Sequence, residues 1–231
     1  MIIFRSSHRI LFRYDPLEFS HMILAGSVRI STLEDCRNSK HEAARDEGEG
    51  TKTITSLPGT NYPNSQELTK LFGVNPAGIK VSKNAVALVG EHAVHRSEHL
   101  ENAFVFCTSA IENDISMKTR FGNGCLKIKD PILFFELVDK YLRQRVAPGR
   151  LSACIVDDVE YVPRTDNYRD HSTKHSAFLK PHGGNKHFEI ESEVRAIWIP
   201  KGFKIKPEIL TISEVLGLLE LLPDVGQHEF E

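Results

Sequence analysis

Cysteine is scarce in this sequence. The four residues Cys36, Cys107, Cys125 and Cys154 include no CxxC pair, which argues against both a zinc ribbon and a disulfide framework. Cys107 and Cys154 sit inside apolar runs, where a free thiol packs as a small hydrophobe. Positive charge is not in excess: 29 Lys and Arg stand against 31 Asp and Glu, a formal net charge of -2. No global field therefore draws the chain onto nucleic acid, and any such contact needs a local patch. Long apolar runs are also missing. No stretch approaches the roughly 18 residues of a membrane span, and Arg5, His8 and Arg9 interrupt the N-terminal MIIFRSSHRILF where a signal peptide would be continuously apolar. The expectation is a cytoplasmic protein with no membrane partner. Internal repeats and low-complexity tracts are lacking too.

What is present is enough hydrophobic residue, 40% of 231, to build a core. One domain spanning 1–231 is expected, of the α+β class. The segment ILFRYDP alternates like a strand and is stopped by Asp15-Pro16. A short helix over 17–25, capped by Gly26, and a second strand, SVRIST, follow. From about 33 to 62 the chain turns polar and reads as a long loop, mobile or ordered by a ligand. Residues 89–100 read as a helical turn or two that leads into a central strand, AFVFCTSA. GCLKIKD is another strand. Ile132 to Arg145 carries apolar residues at helical spacing and is the clearest helix of the chain. SACIVDDVEYV reads as a strand or hairpin, 163–187 as a basic loop, and ISEVLGLLELL as a closing helix ended by Pro223.

The most chemically loaded segment is EIESEVRAIWI, Glu189 to Ile199. Read as a strand, it projects Glu189, Glu191, Glu193 and Arg195 to one face. Carboxylates about 7 Å apart repel, so solvent, a cation, a ligand or Arg195 must compensate them. A solvated strand face is the plain reading. The same face turns apolar at Ile197 and Ile199, however, which argues for a cleft edge where a carboxylate can bind ribose hydroxyls, stabilise positive charge or act as a general base.

Three further constellations stand out. The loop residues Glu34, Asp35, Arg37, Arg45, Asp46, Glu47 and Glu49 could fold over a nucleotide, but lack the regular spacing of a calcium loop. His92, His95 and His99 share a face if helical, and His171 and His175 are four apart, yet HSTKH is not HExxH; no metal site is assigned. Basic and aromatic residues over 164–187 form the expected local patch for RNA or DNA.

The E-x-E pattern of Glu191 and Glu193 on a late strand resembles the catalytic element of ADP-ribosyltransferases, whose arginine-type members add an early-strand arginine and a Ser-Thr-Ser-like triplet. Arg13 stands for the first, with Arg5 as competitor, and Thr108-Ser109 for the second. The layout is also similar to a widespread, poorly characterised bacterial domain family with an early tyrosine beside a basic residue, an acidic loop, a "CFS"-like strand and a terminal E-x-E-x-R. Here those are Arg13-Tyr14, the LEDCRN to RDEGEG loop, FCTSA with Met117 and Gly122 to Gly124, and Glu191 to Arg195.

The resemblance implies a mixed, mainly antiparallel split β-sheet with flanking helices. It implies NAD as substrate and a macromolecular acceptor, with Glu193 on the nicotinamide ribose and Glu191 orienting the acceptor. Arg13, Tyr14, Thr108, Ser109 and Arg195 would line the NAD site, with Arg13 on the pyrophosphate. It further implies a toxin or phage-defence role; an antitoxin partner is left open. A metal-dependent nuclease using Glu189, Glu191 and Glu193 is the alternative, as is a non-catalytic binding module.

Overall fold

The computed structural model describes residues 1–39, 45–56, 87–90, 93–146, 149–162, 165–167, 174–182 and 188–224. The chain opens with strands β1 (Ile2–Phe4) and β2 (Leu11–Asp15), helix α1 (Leu17–Leu24), strand β3 (Ser27–Thr32) and the short helix α2 (Leu33–Arg37). Strands β4 (Thr51–Ser56), β5 (Ala87–Gly90), β6 (Ala93–His99) and β7 (Phe104–Ser109) follow. Next come α3 (Ile115–Phe121), β8 (Gly124–Ile128), α4 (Pro131–Arg145) and β9 (Leu151–Asp158). The remainder contributes β10 (Glu160–Tyr161), β11 (Thr165–Asn167), β12 (Leu179–Lys180), β13 (Glu193–Pro200), β14 (Glu208–Thr211) and β15 (Leu219–Leu221).

These elements fall into two compact units. The second holds 48–101 and 160–182 and contains a four-stranded sheet in the order β11-β4-β6-β5 and the two-stranded β10-β12. The first unit holds everything else and carries a nine-stranded sheet, β1-β9-β13-β7-β2-β8-β15, with β3 beside β7 and β14 beside β3. Its pairings are antiparallel apart from β1 with β9. The protein is thus mixed α and β, with a mainly antiparallel open sheet and few helices.

Alternation within the strands explains why this sheet buries both faces. On β13, Val194, Ala196 and Trp198 face the main core, where they join Phe104 and Phe106 of β7 and Phe134, Phe135, Val138 and Leu142 of α4. On β2, Leu11 enters that same core, whereas Phe12 and Tyr14 pack on the opposite side with Met117 and Cys125. Helix α4 starts where expected. Asp130 caps it by accepting from the Leu133 N–H, and Pro131 occupies the first turn, where its missing donor costs nothing. Inside the packed face one polar group is retained: Asp139 accepts from Trp198 Nε1 at 2.9 Å and from Arg143 Nε at 2.8 Å, tying α4 to β13.

At the end of α3 the chain needs a glycine. Gly122 has φ of 130°, and a Cβ there would lie 2.3 Å from the Pro16 backbone nitrogen, so α3 can turn back against β2 only without a side chain.

Several expectations are corrected. Residues 93–99 form strand β6 and not a helix, because β4 pairs with it along one edge and β5 along the other; ladder pairing overrides a weak local preference. The three histidines therefore do not share a helix face; His92 and His171 lie outside the described residues. The C-terminal segment is a 3-10 turn, Ser213–Leu218, followed by strand β15. Gly217 weakens a helix there, and β15 instead completes the sheet edge beside β8. The polar stretch expected as a loop begins with α2, which a capping box between Thr32 and Asp35 closes, and contains β4. The basic stretch contains β11, β12 and a 3-10 turn, Ser176–Phe178. Among the described residues, no helix is long and apolar enough to cross a membrane.

Candidate functional site

The early, middle and late segments singled out in the sequence occupy neighbouring strands. β7 lies between β13 and β2, with Glu193 opposite Ser109, Val194 opposite Thr108 and Arg195 opposite Cys107. On its other edge, β7 meets β3 at Phe104 and Val105 and β2 at Ser109. Between these two contacts, Arg13 reaches from β2 and donates to the Cys107 carbonyl at 2.7 Å. Arg5 follows the edge strand β1, which β9 and β13 separate from β7, so Arg13 is the early arginine that adjoins the middle strand.

Arg13 is held firmly. Its Nε and one terminal nitrogen donate to the two oxygens of Asp15 at 2.7 and 2.9 Å, and its guanidinium lies 5.1 Å from the centre of the Phe106 ring. Burial works against the charge, but Asp15, with smaller contributions from Cys107 and Cys36, outweighs it, and the guanidinium pKa ends above its ordinary value. Each terminal nitrogen carries two hydrogens, so donor capacity remains for a ligand on a side chain that is 25% exposed.

The expected continuous strand from Glu189 does not form. Phe188–Glu191 is a 3-10 turn, Ser192 has a positive φ of 39°, and β13 starts at Glu193. The consequence is chemical. A regular strand would have stacked three carboxylates on one face, whereas the kink at Ser192 sends each of two carboxylates to its own arginine. Glu193 takes Arg195 Nε at 2.7 Å and a second nitrogen at 3.3 Å; Glu191 takes Arg120 of α3 at 3.1 Å. All of this lies out of bulk water, with Glu191 at 3%, Glu193 at 5% and Arg195 at 1% exposure. Arg120 is further sandwiched, 5.6 and 5.4 Å from the ring centres of Phe121 and Phe188.

Hydroxyls fix this turn. Ser109 Oγ donates to the Glu191 carbonyl at 2.7 Å and accepts from the Ile111 N–H, while the Ser192 carbonyl accepts from the Ala110 N–H. Thr108 points to the opposite face and donates to the Val194 carbonyl. Tyr14 is a bolt between β2 and the start of α3: its hydroxyl donates to the Ile111 carbonyl and accepts from the Asp114 N–H, and burial pushes its pKa up.

Opposite Arg195 on β7 stands Cys107. A hydrogen bond to the Cys36 thiol, then burial, then the Glu193 charge push the Cys107 pKa well up, with Arg195 opposing. On the far side of Arg195, Asp157 of β9 occupies the register position opposite it. Arg120, Asp157 and Cys36 were not anticipated. Arg120 carried no motif, Asp157 gains meaning only through strand pairing, and Cys36 only through where the fold carries helix α2.

Among the described residues, no group of three or more His, Cys, Asp and Glu side chains is arranged to hold a metal ion. The carboxylate face on which the nuclease reading rested is broken at Ser192. Of the basic stretch, Arg164, Tyr168, Arg169 and Lys186 lie outside the described residues; Lys180 and Phe178 are buried, and His175 Nδ1 accepts from the Ala177 N–H. Comparison of the chain with protein-family models, with curated proteins and with solved structures found no match.

Proposed function

We propose that this chain is an NAD-consuming glycosyl-transfer enzyme of the ADP-ribosyltransferase type, a cytoplasmic toxin or phage-defence effector modifying a macromolecular acceptor. The observation that supports the reading is adjacency. Ser109 and Glu193 come from segments far apart in the chain yet sit opposite each other on the neighbouring strands β7 and β13, and Arg13, on the main-core face of the flanking strand β2, reaches the Cys107 carbonyl of the same β7. Glu193 stands at the first position of its strand, next to the turn that carries Glu191, and is oriented by Arg195.

In this reading Glu193 binds a hydroxyl of the nicotinamide ribose and offers negative charge to the sugar as nicotinamide departs, a placement worth several kcal/mol in a water-poor site. Glu191 orients the acceptor nucleophile. Arg13 contributes its remaining N–H donors to the pyrophosphate, with Asp15 fixing the fork in place. Ser109 positions the turn bearing Glu191, and Tyr14 and Thr108 hold the neighbouring backbone. Transfer to an acceptor and hydrolysis by water share these groups.

The test is incubation of purified protein with NAD and cell extract, with nicotinamide release and transfer of label from the adenylate moiety followed with and without EDTA. Release that survives EDTA and falls at least about a hundredfold in Glu193→Gln is expected. Inert NAD, or nucleic-acid cutting that EDTA abolishes, ends the proposal.

A further inference from the structure

At the end of β7 opposite Ser109, the described surface carries a concentration of positive charge that the overall charge of -2 conceals. After β13 the chain runs through Lys-Gly-Phe-Lys-Ile-Lys, 201–206. Phe203 and Ile205 are half-buried and pack on the main core, whereas Lys201, Lys204 and Lys206 are exposed. The alternation makes a floor of apolar side chains beneath a row of ammonium groups. Together with Phe104 of β7 and Arg145 and Val146 at the end of α4, this segment lines a hollow of about 340 Å³ that opens to solvent.

Charge around the cavity is one-sided. Arg145 pairs with Glu208 at 3.2 Å, and Glu208 is the one acid in the lining. Lys201, Lys204 and Lys206 make no ion pair among the described residues. A further cation stands beside them: Arg150 lies 4.6 Å from the centre of the Phe203 ring, and its carbonyl accepts from the Lys201 N–H.

We propose that this cavity is a binding site for single-stranded nucleic acid, with one unstacked base over the Phe203–Ile205 floor and flanking phosphates on Lys204 and Lys206. Three features select that ligand. An aromatic floor flanked by cations is how a strand is held without sequence readout, because every base offers a π-face and every linkage a phosphate. An acidic peptide would satisfy the lysines but leave the apolar floor uncovered. A duplex would have to unstack a base to enter the hollow. The site goes beyond the proposed glycosyl transfer: it says where a nucleic-acid acceptor or guide would be gripped, and it is measured without NAD, so either proposal can fail alone.

The experiment is fluorescence anisotropy of a short fluorescein-labelled single-stranded oligonucleotide over a potassium chloride series. Each phosphate neutralised on a single strand contributes about 0.7 to the slope of log K against log salt. Lys204→Gln with Lys206→Gln, both exposed and therefore harmless to folding, should reduce the slope by about 1.4. Phe203→Leu should leave the slope unchanged and weaken binding at least about fivefold. The matching duplex should bind more weakly than the single strand. An unchanged slope in the double variant, no binding at low salt, or equal competition by a polyglutamate peptide of the same charge would each overturn the assignment.

Discussion

Removing one partner of the Glu193–Arg195 pair tests how this site is built. Both side chains are almost fully buried, with Arg195 at 1% and Glu193 at 5% exposure, and two nitrogens of one face the two oxygens of the other at 2.7 and 3.3 Å. In Arg195→Met the carboxylate keeps its buried position but loses the guanidinium that holds both its oxygens, and removing one partner of such a buried pair costs about 3–5 kcal/mol. Glu193→Gln retains an acceptor for the guanidinium, so its cost is smaller, about 1–3 kcal/mol. In the double variant neither charge is stranded, and its loss should fall short of the sum of the singles by more than about 1 kcal/mol. Trp198 is the single tryptophan, fully buried on the same strand, so its fluorescence follows unfolding of the unit that holds the pair. With a urea m-value of about 2.5 kcal/mol/M, the Arg195→Met midpoint should drop by about 1–2 M. A loss under about 1 kcal/mol, or strict additivity in the double variant, would refute the claim that these charges depend on each other. The modest cost of Glu193→Gln also matters for function: a variant that stays folded but releases no nicotinamide separates chemistry from stability.

Other outcomes follow from the same contacts. Ser192 sits at φ of 39°, so Ser192→Val should lose about 1–2 kcal/mol in urea unfolding, while Ser192→Gly should hold or gain stability. Equal effects of the two would show that the kink is not locally strained. Asp139→Ala removes the acceptor of both Trp198 Nε1 and Arg143 Nε, and a loss of about 2–4 kcal/mol by thermal or urea unfolding is expected, with Asp139→Asn recovering part of it. The Cys107 thiol, its pKa raised by Cys36, burial and Glu193, holds its proton more tightly folded than unfolded. Its contribution to stability is therefore complete at neutral pH and lost as pH rises past the ordinary thiol range and through the folded value. Iodoacetamide labelling read by peptide mass spectrometry should accordingly be slow at pH 8, faster at higher pH, and faster at pH 8 in Cys36→Ala; unaltered labelling in that variant would contradict the part given to Cys36 in raising the Cys107 pKa.

Elements whose cause is local were legible from the chain. Strand β2 stops at Asp15 before Pro16, helix α4 has its cap at Asp130 and its core stripe at helical spacing, and β7 is an apolar run too short for anything but a buried strand. The arginine, hydroxyl and carboxylate segments could also be marked by residue type alone. Elements whose cause is distant were misread. Residues 89–100 read as a helical turn or two, yet the conformation of 93–99 is set by β4 on one edge and β5 on the other. ISEVLGLLELL has enough leucine for a helix, but β8 recruits Leu219–Leu221 as an edge strand.

Amino-acid order by itself determined the α+β character, the buried strands, the main helix and the charge-rich segment near residue 190, because hydrophobic period, caps and prolines act within a few residues. Tertiary structure alone decided that Glu191 and Glu193 part company at Ser192, that Arg120 receives Glu191 while Arg195 keeps Glu193, and that Lys204 and Lys206 rim a hollow with Arg145. Like charges on a strand can be relieved in several ways. Which way is taken depends on where arginines some 70 residues distant, such as Arg120, have been carried by the fold.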